Sequence, residues 1–198
     1  MYLYGASGHA KVIIEILEAC GEQIEGLFDD NESVTSLLGY PVSSYVAREG
    51  NRLIISIGNN EIRKRIAERI GGEFGVAVHP SAVVSPRAAV GEGTVVMHGA
   101  IVQSEAQIGR HCIINTGATV DHECVIGDFA HISPNATLCG NVTVGEGTQI
   151  GAGSVVVPGV HIGKWSLICA GSVVTKDIPD NCIAAGNRCK VIKSIEEK

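Results

Sequence analysis

Aromatic residues make up only 4% of this 198-residue chain, although hydrophobic residues make up 45%. So little aromatic bulk argues against one wide core and fits many narrow layers filled by Val, Ile and Ala. No Lys/Arg cluster suggests a membrane surface, and the formal net charge is −6. The chain therefore lacks the electrostatic footprint of a nucleic-acid binder or of a protein held on a membrane surface. No apolar run approaches the ~20 residues that span a bilayer, and Met1 leads at once into a strand pattern with no basic segment. The expectation is a cytoplasmic protein with no nucleic-acid and no membrane partner. Seven cysteines are odd in number and include no Cys-x-x-Cys pair, so reduced, buried thiols are expected.

What the sequence does have is a period. From Val84 through Val90, Val96 and Val102 to Val174, every sixth residue is branched aliphatic, sixteen times without a break. Four places later the residue is mostly small, as at Ala88, Thr94, Ala100, Ala106, Cys112, Ala118 and Cys124. A period of six fits neither a 3.6-residue helix nor simple strand alternation, but it fits short strands joined by regular corners. This pattern resembles the hexapeptide-repeat acyltransferases, whose chains wind a left-handed parallel β-helix with three hexads to each triangular coil. The resemblance implies an aliphatic interior and coils stacked ~4.8 Å apart. The repeat divides the chain into an N-terminal domain over 1–78 and a β-helix domain over 79–198.

The N-terminal domain opens with a strand at 1–4, a glycine loop at 5–11 and an amphipathic helix carrying Val12, Ile13, Ile16 and Leu17 to about Cys20. A glycine loop at a helix N-terminus can cradle an anion, because backbone N–H groups come close and the helix end carries partial positive charge. Ser7 stands where a dinucleotide fingerprint has its second glycine, which disfavours NAD or FAD. A second strand, Ile24 to Phe28, ends in Asp29 and Asp30, where βαβ nucleotide domains place an acid that meets a sugar hydroxyl. A third, Leu53 to Ile57, runs into Gly58-Asn59-Asn60. A helix from Glu61 to Ile70 follows, with Ile62, Ile66 and Ile70 on one face and Asn60 as its cap. The segment from Asn31 to Gly50 has no strong pattern. The fold class is thus a small parallel α/β sheet domain followed by a β-helix, with candidate ligand residues Gly5, Ser7, Gly8, His9, Asp29, Asp30, Gly58 and Asn59 along one sheet edge.

Taken together, Gly-Ala-Ser-Gly-His at 5–9, Phe-Asp-Asp at 28–30, Ile-Gly-Asn-Asn-Glu-Ile-Arg-Lys at 57–64, His-Pro-Ser-Ala at 79–82 and His-Glu-Cys-Val-Ile-Gly at 122–127 resemble the nucleotide-4-amino-sugar N-acetyltransferases. The bacillosamine-pathway acetyltransferases and the sialic-acid O-acetyltransferases belong to that family. The resemblance implies acetyl-CoA as cosubstrate, no metal, a UDP-linked amino sugar bound by the N-terminal domain, a role in glycan biosynthesis, and a homotrimer with active sites between subunits. The tail at 184–190 departs from the family's Gly-Asn-Pro-Ala-Lys at Arg188 and Cys189.

The hexad begun by Val120 turns Val120 and Cys124 inward and leaves His122 and Glu123 outward. With three hexads to a coil, Gly140 stacks beside His122 and Asn141 beside Glu123, and the glycine leaves a step suited to a thin pantetheine arm. Acetyl transfer to an amine needs a group that accepts a proton near neutral pH, and histidine, with an ordinary pKa of about 6.5, is the usual choice. Glu123 or Asp121 would favour its charged form. The resemblance implies the same roles: His122 as general base, Glu123 as its electrostatic partner, and His131 as a contact to acetyl-CoA, alongside Gly140 and Asn141. His131 lies half a coil from His122, so a coenzyme touching both needs a neighbouring subunit.

Sugar O-acetylation is the nearest alternative. A zinc hydratase of the γ-carbonic-anhydrase kind needs two histidine ligands five residues apart, whereas His111, His122 and His131 are separated by eleven and nine. A non-catalytic solenoid is the third reading.

Overall fold

The computed structural model describes residues 1–45, 50 and 52–195. The first unit is built from β1 (Tyr2–Tyr4), α1 (Gly8–Ala19), β2 (Gly26–Phe28), β3 (Ser36–Leu37), β4 (Tyr40–Ser43), β5 (Arg52–Ile55), α2 (Asn60–Ile70) and β6 (Glu73–Phe74). Its sheet runs β3-β4-β2-β1-β5-β6 and is parallel apart from the β3/β4 pair. The carboxyl ends of β1, β2 and β5 share one edge, which gathers Gly5, Asp29 and Gly58.

The β3–β4 hairpin lies in the segment where the sequence shows no strong pattern. Its two-residue turn uses left-handed backbone at Leu38 (φ 48°) and Gly39 (φ 86°), and β4 carries Pro41, which cannot donate to a ladder. Strands this short and interrupted offer too few alternating positions to read. The cap of α2 also differs from expectation. Asn59, not Asn60, accepts the Ile62 N–H at 2.9 Å, and Ile62 is exposed. The buried face of α2 is Asn60, Arg63, Ile66 and Ala67, because half of that face meets polar backbone rather than an apolar core.

The second unit is a left-handed parallel β-helix of two-residue strands. Val95–Val96 pairs with Ile113–Ile114, which pairs with His131–Ile132, then Gln149–Ile150, then Leu167–Ile168. The three walls have eight, six and five strands. The inward aliphatic residues, Val96, Ile114, Ile132, Ile150 and Ile168, are fully buried. Each contributes about 1.5–3 kcal/mol of burial. Cys112 and Cys124 are buried in the small-residue slot, whereas Cys20 is exposed. At the far end Cys182–Ala185 continues the eight-stranded wall and then pairs antiparallel with Lys190–Ser194.

The two units share a core. Leu3, Ala10, Ile13, Ile14 and Leu17 pack on the outward residues Ala77, Val95 and Ile113 of that wall, together with Met97. This explains why those outward positions are apolar although an exposed wall would be polar. The row turns polar at His131 and Gln149, which lie outside that apolar cluster. Among the described residues, no helix is long and apolar enough to cross a membrane.

Candidate active site

His122 sits at the corner after the strand Thr119–Val120, exposed, with its Nδ1 3.1 Å from Glu123 Oε2. A carboxylate only accepts, so Nδ1 carries a proton, and in the neutral ring Nε2 keeps a free lone pair. Asp121 is turned the other way, its Oδ1 accepting the His122 backbone N–H at 2.8 Å, so Glu123 is the partner of the ring. Glu123 adopts left-handed backbone (φ 59°), which turns its chain at the corner, and Asn141 repeats that conformation one coil on (φ 59°). The Asn141 N–H donates to the His122 carbonyl at 2.9 Å. Gly140 does stack beside His122, but the expected open step is taken up by the histidine itself. A Cβ at Gly140 would lie 2.5 Å from both Cε1 and Nε2 of the ring. The glycine is what lets the imidazole lie along the corner.

His131 belongs to a different wall and faces the N-terminal domain. The Asn115 side chain accepts the Thr116 N–H through Oδ1 at 2.8 Å, which turns its Nδ2 toward His131 Nε2 at 3.0 Å. The amide nitrogen only donates, so His131 Nε2 accepts and the ring proton is pinned on Nδ1. Burial, reinforced by the charge of Arg63 and by His9 and opposed by the Gly58 carbonyl, lowers its pKa to about 3. Burial and Arg63 likewise lower His9 to about 4. Both rings are therefore neutral at ordinary pH, and His131 Nδ1 and His9 Nε2 are buried without a hydrogen-bond partner.

Around this junction the sheet edge supplies the other candidates. Gly5 (φ 109°) is required by contact, since a Cβ there would come 2.8 Å from Ile57 Cγ1. Gly8 and Gly58 are different: a Cβ at either meets nothing within 4 Å, so both border open space. Ser7 is exposed and its side chain does not cap α1. Asn59 is engaged in capping α2. Asp29 holds the glycine loop, its Oδ2 accepting the Ala6 N–H at 2.7 Å and its Oδ1 the Asn31 N–H at 2.8 Å. Asp30 accepts from the Tyr4 hydroxyl and pairs with Arg69 at 3.2 Å. Tyr4 above all, with Arg69, holds the Asp30 carboxyl below its usual range, while burial and Asp30 push the Tyr4 hydroxyl up to about 12. Tyr4, Asp29, Asp30, Tyr45 and Arg69 line a cavity of about 390 Å³.

The structure thus assembles Gly5, Gly8, His9, Asp29, Gly58 and His131 on one side of the molecule and His122, Glu123, Gly140 and Asn141 on another corner. His111 joins neither group. Its ring is stacked on Phe129 (5.1 Å, 3°) and meets Phe74 edge-on (4.4 Å, 79°), so the three histidines at 111, 122 and 131 do not converge.

Comparison with known proteins supports this architecture throughout. Residues 1–70 match the PglD N-terminal domain family, and residues 105–176 match overlapping copies of the bacterial transferase hexapeptide family. The structure of PerB from Caulobacter crescentus, in complex with CoA and GDP-perosamine, superposes with a TM-score of 0.92 at 40% identity, covering 97% of this chain and 96% of that one. The chain belongs to the hexapeptide-repeat nucleotide-sugar N-acetyltransferases. The acetyltransferase domain of PglB from Neisseria gonorrhoeae, also determined with acetyl coenzyme A, matches with a TM-score of 0.90 at 37% identity over 96% of this chain and 98% of that one. The UDP-N-acetylbacillosamine N-acetyltransferase of Bacillus subtilis is 44% identical over 107 residues, 48% of this chain and 50% of the relative. That alignment spans about half of the curated relative's length.

Two parts of this family member's site escape a reading of the sequence. Asn115 lies in an ordinary corner, and nothing local announces that it fixes the tautomer of a histidine one coil away. Arg63 looks like any charged residue on a surface helix, yet it is 1% exposed. The apolar outward row at Ala77, Val95 and Ile113 was a usable signal, because it marks the wall on which the first domain docks.

Proposed function

We propose that this chain transfers the acetyl group of acetyl-CoA to the amino group of a nucleotide-linked amino-deoxy sugar, with His122 as general base, in the cytoplasmic synthesis of a bacterial glycan. The observation that carries this reading is the contrast between His122, whose free Nε2 and carboxylate-held Nδ1 suit it to take a proton, and His131, whose Nε2 lone pair is already engaged. The amine nitrogen attacks the thioester carbonyl carbon, the C–S bond breaks, and the proton released by nitrogen passes to His122 Nε2 and on to the departing thiolate. Glu123 stabilises the imidazolium formed in between.

The nucleotide end is assigned to the cavity at Asp30, Tyr45 and Arg69, and the sugar to the open space bordered by Gly8 and Gly58. The unpartnered Nε2 of His9 and Nδ1 of His131 are then polar atoms that bound substrates would satisfy. His131 would face the acetyl-CoA thioester, with Gly140 and Asn141 meeting the coenzyme beside the base. Since His122 and His131 lie on different walls, one centre that uses both takes His122 from a second copy, which makes a homotrimer the assembly proposed.

Thiol release from acetyl-CoA, measured against UDP-, dTDP- and GDP-linked 4-amino sugars, tests the reaction. A UDP-linked amine is the expected acceptor, with a GDP-linked one the next, given the complex that PerB forms. Release with none of them, or only with a sugar hydroxyl acceptor, overturns the reading. A monomeric mass in light scattering with activity retained overturns the assembly.

A further inference from the structure

At each corner of a β-helix, one carbonyl per coil has no partner in the ladder. Among the described residues, no backbone N–H reaches the carbonyls of His111, Phe129 or Gly147, which occupy the same corner in three successive coils. All three residues are in left-handed backbone, with φ of 53°, 59° and 67°. Helix α2 lies across this corner and fills all three acceptors. Arg63 donates through Nε to His111 O at 2.8 Å and through Nη2 to Phe129 O at 2.8 Å, and Asn60 Nδ2 donates to Gly147 O at 3.0 Å.

The rest of the guanidinium points the other way. Its Nη1 donates to the carbonyls of Ile57 at 3.0 Å and Gly58 at 3.2 Å, and Nη2 also donates to Asn60 Oδ1 at 2.9 Å. All five N–H donors are used, and among the described residues no carboxylate touches the group. A buried charge without a counter-ion is costly, and uncharged donors such as the Asn60 amide would have served to dock α2 more cheaply. What this arginine adds is a rigid fork that measures the distance between two coils of the solenoid and the loop that closes the sheet edge.

We infer that Arg63 is a positioning residue for the nucleotide-sugar side of the reaction, setting the Ile57–Gly58 loop at a fixed height against the solenoid wall that carries His131. This rests on the function proposed above. Burial is the main cause that keeps His9, His111 and His131 neutral, and the Arg63 charge adds to it.

The test compares Arg63→Lys with Asn60→Ala. Lysine keeps the charge but reaches fewer acceptors, whereas Asn60→Ala loosens α2 on the corner and leaves the Arg63 bonds to Ile57 and Gly58 in place. Arg63→Lys is expected to raise KM for the nucleotide sugar about ten- to a hundredfold, the range for charge-assisted hydrogen bonds lost at a binding loop, with KM for acetyl-CoA changing much less. Amide hydrogen exchange in the Ser56–Asn60 segment, which needs no substrate, is expected to speed up in Arg63→Lys and to change less in Asn60→Ala. Equal effects of the two variants on both readouts overturn the inference, since Arg63 is then only docking. So does an Arg63→Lys chain that fails to fold, since its role is then structural. A wild-type chain inactive toward every nucleotide sugar defeats the proposed function alone, and the exchange comparison still decides the loop.

Discussion

His111 and His122 both sit at solenoid corners but at different places in the hexad, His111 in the left-handed position (φ 53°) and His122 just before the left-handed Glu123 (φ 59°). The ring of each lies over a glycine one coil away, Gly93 for His111 and Gly140 for His122. From there they diverge completely. His111 is covered by Phe74 of the N-terminal domain and stacked on Phe129, and burial, with help from Arg63 and Arg110, lowers its pKa to about 4. His122 stays open, with Glu123 as its only ring partner among the described residues. The repeat supplies the seat, and what lies outside the repeat decides whether the seat becomes core or chemistry.

The largest expected effects separate the two histidines. His122→Ala should keep its melting temperature and lose about 10²–10⁴-fold in kcat, the usual contribution of a general base, with KM for acetyl-CoA changing less. Glu123→Ala should lose less. If His122→Ala retains more than about a tenth of wild-type kcat, the base lies elsewhere and positioning alone carries the reaction. His111→Ala should do the reverse, lowering stability by about 2–4 kcal/mol in urea unfolding while the folded fraction keeps its turnover.

The glycine seats sharpen the comparison further. Gly140→Ala places a methyl 2.5 Å from the His122 ring, which is exposed and free to tilt, so stability should hold while kcat falls by about tenfold. Gly93→Ala would collide with His111 Nδ1 at a backbone φ of 71°, and the His111 ring cannot move between two phenyls, so thermal melting should reveal a loss of stability instead.

The remaining effect is one of pH. His9, His111 and His131 are held below their ordinary value, so the unfolded chain binds more protons than the folded one between about pH 6.5 and about pH 3. Stability should be full above that window, fall as pH is lowered through it, and stop falling from this cause below the folded values. Urea midpoints that stay flat across the window would show that these rings are not held neutral.

The solenoid was legible because each inward position sees the same environment, so one rule applied sixteen times identifies it. His122 and Glu123 were legible for the same reason: the period assigns them to the outside, where a histidine beside a glutamate stands out. The junction was not legible, because it depends on how two units meet. His131 was named by resemblance alone, as a contact to acetyl-CoA, and only the folded chain shows that it is pinned by Asn115 and neutralised by burial. Arg63 fails for a sharper reason. A sequence reader assigns charge to solvent, and this charge is satisfied in part by backbone carbonyls that come together only once two coils have stacked.

A stack of equivalent rungs has no built-in length, and its last rung offers the next chain a ready template. Here the wall built on Cys182–Ala185 ends in a strand that runs backwards and carries Lys190 and Lys193. A parallel coil from another molecule arriving at that edge would meet the wrong direction and a row of ammonium groups. The hairpin therefore sets the size of the particle: it keeps a fold whose geometry is that of a fibre from becoming one.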